Sequence, residues 1–319
     1  MSLTVITRSR ASALLFGGAA LCAITSPGRA QTNATIRLAV APIEAAAEPY
    51  YAQDMGFFAK AGLDANIQQM QAVSAIAAAV VSNAVDIGWS TVDVLAAIHQ
   101  KNIPLIVIAP AVEYLSAITA RTAAIVVPMN SLVHQAKDLN GKIIAVSALH
   151  ALSETATRAW LDQHGGDSST IRFVEIPFPA MPAALDAGRV DAASVTEPFI
   201  SVAEKNSRVL ANHFDAISKH FLIAAWVTTP QWAKDHPELV NRFAAVMHET
   251  AVWANKNSTK SGEILAKYTK LDPAVIATMA RTHYGELTAA LMQPMIDVSA
   301  KYNGFQTFPA EELIYAPSH

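Results

Sequence analysis

Two hydrophobic periods alternate along the chain. Residues 35–41 (TIRLAVA), 63–70, 85–89 and 104–109 (PLIVIA) are short apolar or alternating runs of the strand type. Between them, 48–61, 74–83 and 91–101 repeat apolar positions every three or four residues and predict helices, the first closed by Gly62. The cycle then restarts, with strands predicted over 123–127, 142–147, 171–176 and 190–195 and helices over 153–164 and 180–187. Gly165-Gly166 ends the longer of those helices. From Pro230 onward the pattern is almost wholly helical. Strands separated by helices in this way predict βαβ units, mainly parallel sheets and an α/β fold.

One stretch is echoed. Residues 82–97 read SNAVDIGWSTVDVLAA and residues 186–203 read DAGRVDAASVTEPFISVA. Each leaves a helix through Asn or Gly, enters a strand at Val-Asp, and turns at a threonine five residues after the aspartate: Thr91 after Asp86, Thr196 after Asp191. An acid follows each elbow, Asp93 and Glu197. Two lobes carrying the same strand-to-helix elbow would present those elbows to each other across a cleft. The plainer alternative is two ordinary βα units that happen to look alike.

The first thirty residues change the picture of where the protein works. Arg8 and Arg10 precede an uncharged apolar run over 11–25, and Gly28-Arg29-Ala30 supplies small residues for cleavage before Gln31. That is the layout of a secretory signal peptide, and the run is short for the roughly 20 residues of a spanning helix. Leu21 stands where a lipoprotein signal would place a small residue before Cys22, so the chain's single cysteine is expected to leave with the leader. The mature chain then has no disulfide and no thiolate chemistry. Loss of three arginines moves the formal charge from −3 to about −6. An acidic chain without a basic segment is unsuited to nucleic acid, and 52% apolar residues suffice for a sizeable core.

Several segments together carry a family resemblance: YAQDMGFFAKAGL at 51–63, DIGWS at 86–90, DLNGKIIAV at 138–146, ALDAGRVD at 184–191, Glu197-Pro198, and the stretch 226–237. In this order and spacing, over about 36–302, the chain resembles the periplasmic binding proteins for nitrate, sulfonates and taurine. These share a domain with thiamine-pyrimidine precursor proteins. The resemblance implies a two-lobed, type II-like periplasmic binding protein fold with a hinge of two crossing strands. Lobe I would be 31–119 with 217–319 and lobe II 120–216, hinged near 118–121 and 213–222. It also implies a monomeric receptor that hands a small organic ligand to a membrane permease driven by an ATPase. The chain itself has no G-x-x-x-x-G-K-[ST] loop.

Ligands of open α/β sheets gather at the carboxyl ends of strands, where loops run into helix N-termini rich in free N–H groups. The expected contacts are Glu48, Tyr50, Ser74, Trp89, Ser90 and Thr91 in lobe I and Ser147, Ser153, Thr155, Thr196 and Glu197 in lobe II, with Trp226 on the return to lobe I. The alternatives are concrete. Ser and Thr at helix starts cap helices, Trp89 and Trp226 fill cores, and Glu197 answers a helix dipole. Of Tyr50 and Tyr51, one is expected to face the cleft. Arg121 is the only basic residue that the sequence places near these loops. The weak basic content disfavours nitrate or bicarbonate and favours an organic molecule, of sulfonate or aromatic/carboxylate type, with a polar head and an apolar body.

The histidines do not gather into a metal set, and neither H-E-x-x-H nor G-x-S-x-G occurs. No metal, cofactor or catalytic residue is expected. The leading expectation is a non-enzymatic periplasmic receptor of an ABC importer. A pyrimidine-precursor-binding protein, an enzyme on the same fold, and a sensor presenting its ligand to a membrane receptor remain as alternatives.

Overall fold

The computed structural model describes residues 33–316 except 71 and 270. The predicted leader and its cleavage site after Ala30 lie outside the described residues. Strands β1 (Ala34–Val40), β2 (Leu63–Gln69), β3 (Ile87–Thr91), β4 (Ile106–Pro110), β5 (Val112–Leu115), β6 (Ala123–Pro128) and β7 (Ile143–Val146) occupy the first half. They are followed by β8 (Arg172–Glu175), β9 (Ala192–Thr196), β10 (Ser207–Ala211), β11 (His220–Leu222), β12 (Ala224–Thr228) and β13 (His283–Tyr284). These form two five-stranded sheets, β2-β1-β3-β12-β4 and β10-β6-β9-β7-β8, and one three-stranded sheet, β11-β5-β13.

Read from its other edge, the second sheet repeats the first. β8-β7-β9 are parallel neighbours, as are β2-β1-β3. An antiparallel strand comes next, β6 beside β9 and β12 beside β3, and then β10 or β4. The expected parallel character therefore describes one flank of each sheet, and the other flank is antiparallel. β12 arrives from the far half of the chain and β6 from ahead of β7, so neither sits beside its neighbour in sequence, which local periodicity does not reveal. β5 and β11 pair antiparallel, His220 opposite Leu115 and Leu222 opposite Glu113. β5 carries the chain out toward β6 and β11 brings it back to β12, so these are the two crossing strands.

Most predicted elements fall within two residues of those observed. The exception is 48–61, which divides into helices Glu48–Asp54 and Phe57–Lys60 because Gly56 takes φ 74°. Only a residue without Cβ enters that region at little cost, and the chain turns there. The helical C-terminal region holds one strand, β13, added to the crossing pair.

Alternation on β6 shows how the second sheet is held between layers. Ile125 and Val127 join Leu139, Ile144 and Leu161 on one face, while Ala124 and Val126 join Met181, Leu185 and Val195 on the other. The first sheet lies in a larger cluster that buries Trp89, Trp226, Phe221 and Phe243 almost completely. Each such side chain contributes about 2–3 kcal/mol through burial alone. Among the described residues no helix is long and apolar enough to cross a membrane.

Candidate functional site

The echoed sequence is an echoed structure. Asp86 donates its N–H to Arg37 O at 2.9 Å, and its Oδ2 accepts Arg37 N–H at 2.8 Å. Asp191 does the same on β7: its N–H donates to Ile143 O at 2.8 Å and its Oδ2 accepts Ile143 N–H at 2.9 Å. Each aspartate thereby pins the central strand of its sheet to the parallel neighbour. The preceding turn is left-handed in both copies, at Asn83 (φ 57°) and Gly188 (φ 65°). At the far end Thr91 lies opposite Ala224 and Thr196 opposite Ala123. Val92 N–H donates to Ile223 O at 2.9 Å, and Glu197 N–H donates to Thr122 O at 3.0 Å. The elbows are one device built twice.

They also meet material from the opposite sheet. Asp93 is 3% exposed, in the first turn of helix Val92–His99, and its Oδ2 accepts the N–H of Leu152 at 2.8 Å. Leu152 opens helix Leu152–Gln163 of the second sheet, so the carboxylate lies at that helix's positive end. Ala156, one turn further along, belongs to the hydrophobic cluster of the first sheet. On the other elbow, Glu197 Oε2 accepts Ser201 N–H at 3.1 Å and Oε1 accepts the Ser201 hydroxyl at 2.9 Å. Oε1 also accepts Ala280 N–H at 3.3 Å. The next residue, Arg281, donates through Nε to Glu44 Oε1, and Thr282 N–H donates to Glu44 Oε2 at 3.3 Å. A short strap, 280–282, thus ties the Glu197 elbow to the loop after β1.

The expected contact residues divide into three groups. Thr91, Ser147, Ser153, Thr155, Thr196 and Glu197 occupy strand ends and helix starts. Ser153 Oγ lies 3.2 Å from Ser147 Oγ and accepts Ser147 N–H at 3.3 Å. Thr155 is 1% exposed and its hydroxyl has no partner. A second group is packed into the core around the first sheet. Trp89 and Trp226 lie opposite each other on β3 and β12, and Ser90 is fully buried. The indole N–H of Trp226 donates to Glu48 Oε2 at 2.9 Å. Burial without a cationic partner pushes the Glu48 carboxyl well above its ordinary value, and Trp226 only partly opposes this. Tyr50 stacks on Tyr268 at 4.5 Å and accepts Gln69 Nε2–H, while Tyr51 meets Tyr284 edge-on. Both tyrosines are buried against aromatic partners, Tyr51 the more completely. Ser74 stands alone, exposed on helix Val73–Val81, whose N-cap is Ala72.

Three participants stood outside the expected contact set. Asp93 was visible as the acid after an elbow, but its reach to Leu152 depends on docking of the two sheets. Glu44 and Arg281 form a buried ion pair across most of the chain, with Arg281 Nη2–H directed at Tyr51 OH at 3.4 Å. Arg121, expected as the nearby cation, is instead exposed and pairs with Glu204 at 2.6 Å. No local signal marks Arg281, because its partner is brought to it by tertiary structure alone.

Burial pushes the Asp93 carboxyl upward, opposed by the Thr91 hydroxyl and the N–H of Leu152 and Val94. Its second oxygen, Oδ1, is buried without a hydrogen-bond partner, as is the Trp89 indole N–H. The junction therefore sets an unpartnered carboxylate oxygen at the start of helix Leu152–Gln163, and the strap arginine is held by Glu44.

Comparison with known proteins agrees with this architecture. Over 196 residues the chain is 28% identical to the taurine-binding periplasmic protein of Escherichia coli K12, covering 60% of this chain and 58% of that relative. The match thus spans little more than half the relative's length. The fold resembles that of the periplasmic aliphatic sulphonate-binding protein of Escherichia coli, with a TM-score of 0.74 at 18% identity, covering 89% of this chain and 92% of the other. It also resembles the alkanesulfonate-binding protein of Xanthomonas axonopodis pv. citri, with a TM-score of 0.72 at 17% identity, covering 88% and 98%. Residues 45–261 match the NMT1/THI5-like family along most of the chain, and the protein belongs to that family.

Proposed function

We propose that the protein is the periplasmic solute receptor of an ABC importer, capturing a small organic molecule between two lobes and delivering it unchanged to a permease and its ATPase. The observation that carries this reading is the pair of equivalent elbows at Thr91 and Thr196, each at the carboxyl end of a central strand, the first bonded to the start of helix Leu152–Gln163 and the second to the 280–282 strap. In this reading lobe I is 31–119 with 217–319, lobe II is 120–216, and β5 with β11 acts as the hinge. Thr91, Asp93, Ser147, Ser153, Thr155, Thr196 and Glu197 line the closing faces. Glu48, Tyr50, Ser90, Trp89 and Trp226 support those faces from beneath. A solute that touches both faces favours the closed form, and the free protein populates that form less. The leader would be removed near Ala30, leaving a soluble monomer in the periplasm. The names of the taurine- and sulfonate-binding relatives support a small organic solute.

The test is direct. Melting temperature and tryptophan fluorescence are measured against sulfonates, aromatic acids, pyrimidines and amines, and hits are followed by small-angle scattering. The expected result is one chemical class that raises the melting temperature, contracts the particle and is recovered intact. Turnover of the bound molecule would replace the receptor reading with an enzymatic one, and binding without contraction would remove the closure mechanism.

A further inference from the structure

The position of Asp93 bears on which solute the receptor takes, an inference that rests on the receptor reading above. A helix N-terminus in a closing cleft is the natural seat for an oxyanion. Here helix Leu152–Gln163 has its first N–H taken by a carboxylate from the opposite sheet, Asp93 Oδ2 at 2.8 Å. Asp93 also lies in the first turn of its own helix, Val92–His99. An internal carboxylate therefore already stands at this helix start and weakens its pull on a ligand anion. What remains unanswered is the other oxygen. Asp93 Oδ1 is buried with no partner in hydrogen-bonding geometry, the Thr91 hydroxyl lying near enough only to ease the carboxylate's burial. An unsatisfied buried carboxylate oxygen is costly unless a donor reaches it.

The surrounding charges point the same way. Glu197 lies on the facing elbow with its oxygens turned to Ser201 and Ala280. Glu154, at the start of helix Leu152–Gln163, is held by Arg158. Arg281 is committed to Glu44. Thr155, 1% exposed in the first turn of the same helix as Leu152, has a hydroxyl without a partner and completes a polar corner. An added oxyanion would meet carboxylates here, whereas an N–H donor would meet the unpartnered Asp93 Oδ1.

We infer that Asp93 is the head-group residue of the receptor, that its Oδ1 accepts from a protonated amine or other cationic N–H group of the solute, and that a simple alkyl or aryl oxyanion lacking such a group is rejected. An amino-bearing sulfonate or carboxylate satisfies this condition, with its anionic end held away from Asp93.

The experiment uses matched skeletons on the purified protein: 2-aminoethanesulfonate, ethanesulfonate and ethylamine, with phenylethylamine and 2-phenylethanesulfonate as the aromatic set. Titration calorimetry and thermal shift read affinity, and scattering reads closure. Compounds carrying the ammonium should bind, and deleting it from the same skeleton should weaken binding by about a hundredfold. Asp93→Asn should erase that preference while the ligand-free melting curve still reports a folded protein. The wild-type comparison stands even if the variant misfolds. Equal binding of ethanesulfonate and 2-aminoethanesulfonate, or a preference untouched in a folded Asp93→Asn, overturns the assignment of Asp93. If an anion without N–H binds and closes the protein, the receptor reading stands and only this inference fails. If no compound of either series, nor of the wider solute set, produces a shift, both are set aside.

Discussion

Gly285 offers the sharpest test of how the crossing strands are packed. A Cβ placed on it would lie 2.6 Å from Glu113 Cδ and Oε2 and 2.7 Å from Glu113 Cβ. The last of these is not the tip of a flexible side chain, so rotation of the carboxylate does not relieve it and β5 itself must move. Glu113 is also the centre of a polar bridge, with Oε2 2.9 Å from His220 Nε2 on β11 and Oε1 2.9 Å from His283 Nδ1 on β13. Gly285→Ala therefore incurs an overpacking cost of about 1–3 kcal/mol and loosens two side-chain hydrogen bonds of about 1 kcal/mol each. A loss of about 3–5 kcal/mol is a large share of the 5–15 kcal/mol that typical domains possess. The assay is urea unfolding followed by tryptophan fluorescence, with Gly188→Ala as the comparison. Gly188 has φ 65° and open space around its Cβ position, so alanine there meets only backbone strain, about 1 kcal/mol. The midpoint of Gly285→Ala should fall well below that of Gly188→Ala, with m unchanged. If Gly285→Ala is no worse than Gly188→Ala, the close approach of Gly285 to Glu113 has been misjudged.

Two further outcomes follow from acids that support the two sheets. Glu48 is buried and its carboxyl is held above the ordinary value, so the folded state binds a proton more tightly than the unfolded chain does. Its contribution to stability is complete below the unfolded carboxyl pKa and is lost as pH rises through the raised folded value. Melting temperatures recorded from pH 4.5 to pH 8 should therefore decline less in Glu48→Gln than in the wild type, and a parallel decline would refute the burial argument. Asp86→Ala and Asp191→Ala should each cost about 1–3 kcal/mol in urea unfolding, since each frees a backbone N–H from its carboxylate. The first should be the more damaging, because Asp86 also holds the Arg37 guanidinium at 2.5 Å.

Local pattern carried most of the first half of the fold. Val40, Ile87 and Ile144 lie in strands because apolar runs bounded by turns leave little alternative, and the helices after them follow from spacing. The failures share a cause. β12 reads AAWVT and β10 reads SRVLA, without the unbroken branched run or clear alternation that marks β6 or β2, and their partners lie far away in sequence, Thr91 opposite Ala224 and Pro128 opposite Ser207. The site was legible to the same degree. Thr91 and Thr196 were marked by repetition, a property of the sequence. Arg281 and the 280–282 strap were not, because their roles arise only when the C-terminal helices dock. Trp89 and Trp226 were ambiguous for a further reason: an indole at a strand end serves a cleft or a core equally well until the neighbouring helices are in place.

The repetition also shows where the two halves differ. Backbone hydrogen bonds at the elbows are equivalent, yet the acids after them behave differently. Glu197 turns back onto its own helix, where Ser201 satisfies both oxygens, and the strap at Ala280 adds a third donor. Asp93 reaches outward to Leu152 and keeps one oxygen unsatisfied. In the receptor reading, opening the cleft would release Leu152 N–H and Asp93 to water, which pairs with both. The exchange of one such hydrogen bond for solvent is worth only about 1 kcal/mol, partly offset by burying the unpaired Oδ1. Closure without solute is then close to balanced at this elbow, and a solute that supplies the missing donor converts a liability of the closed form into a contact made only there. That difference in affinity between open and closed states is what a ligand needs to shift the equilibrium, and it arises at the first elbow because its acid stands two residues after the threonine instead of one.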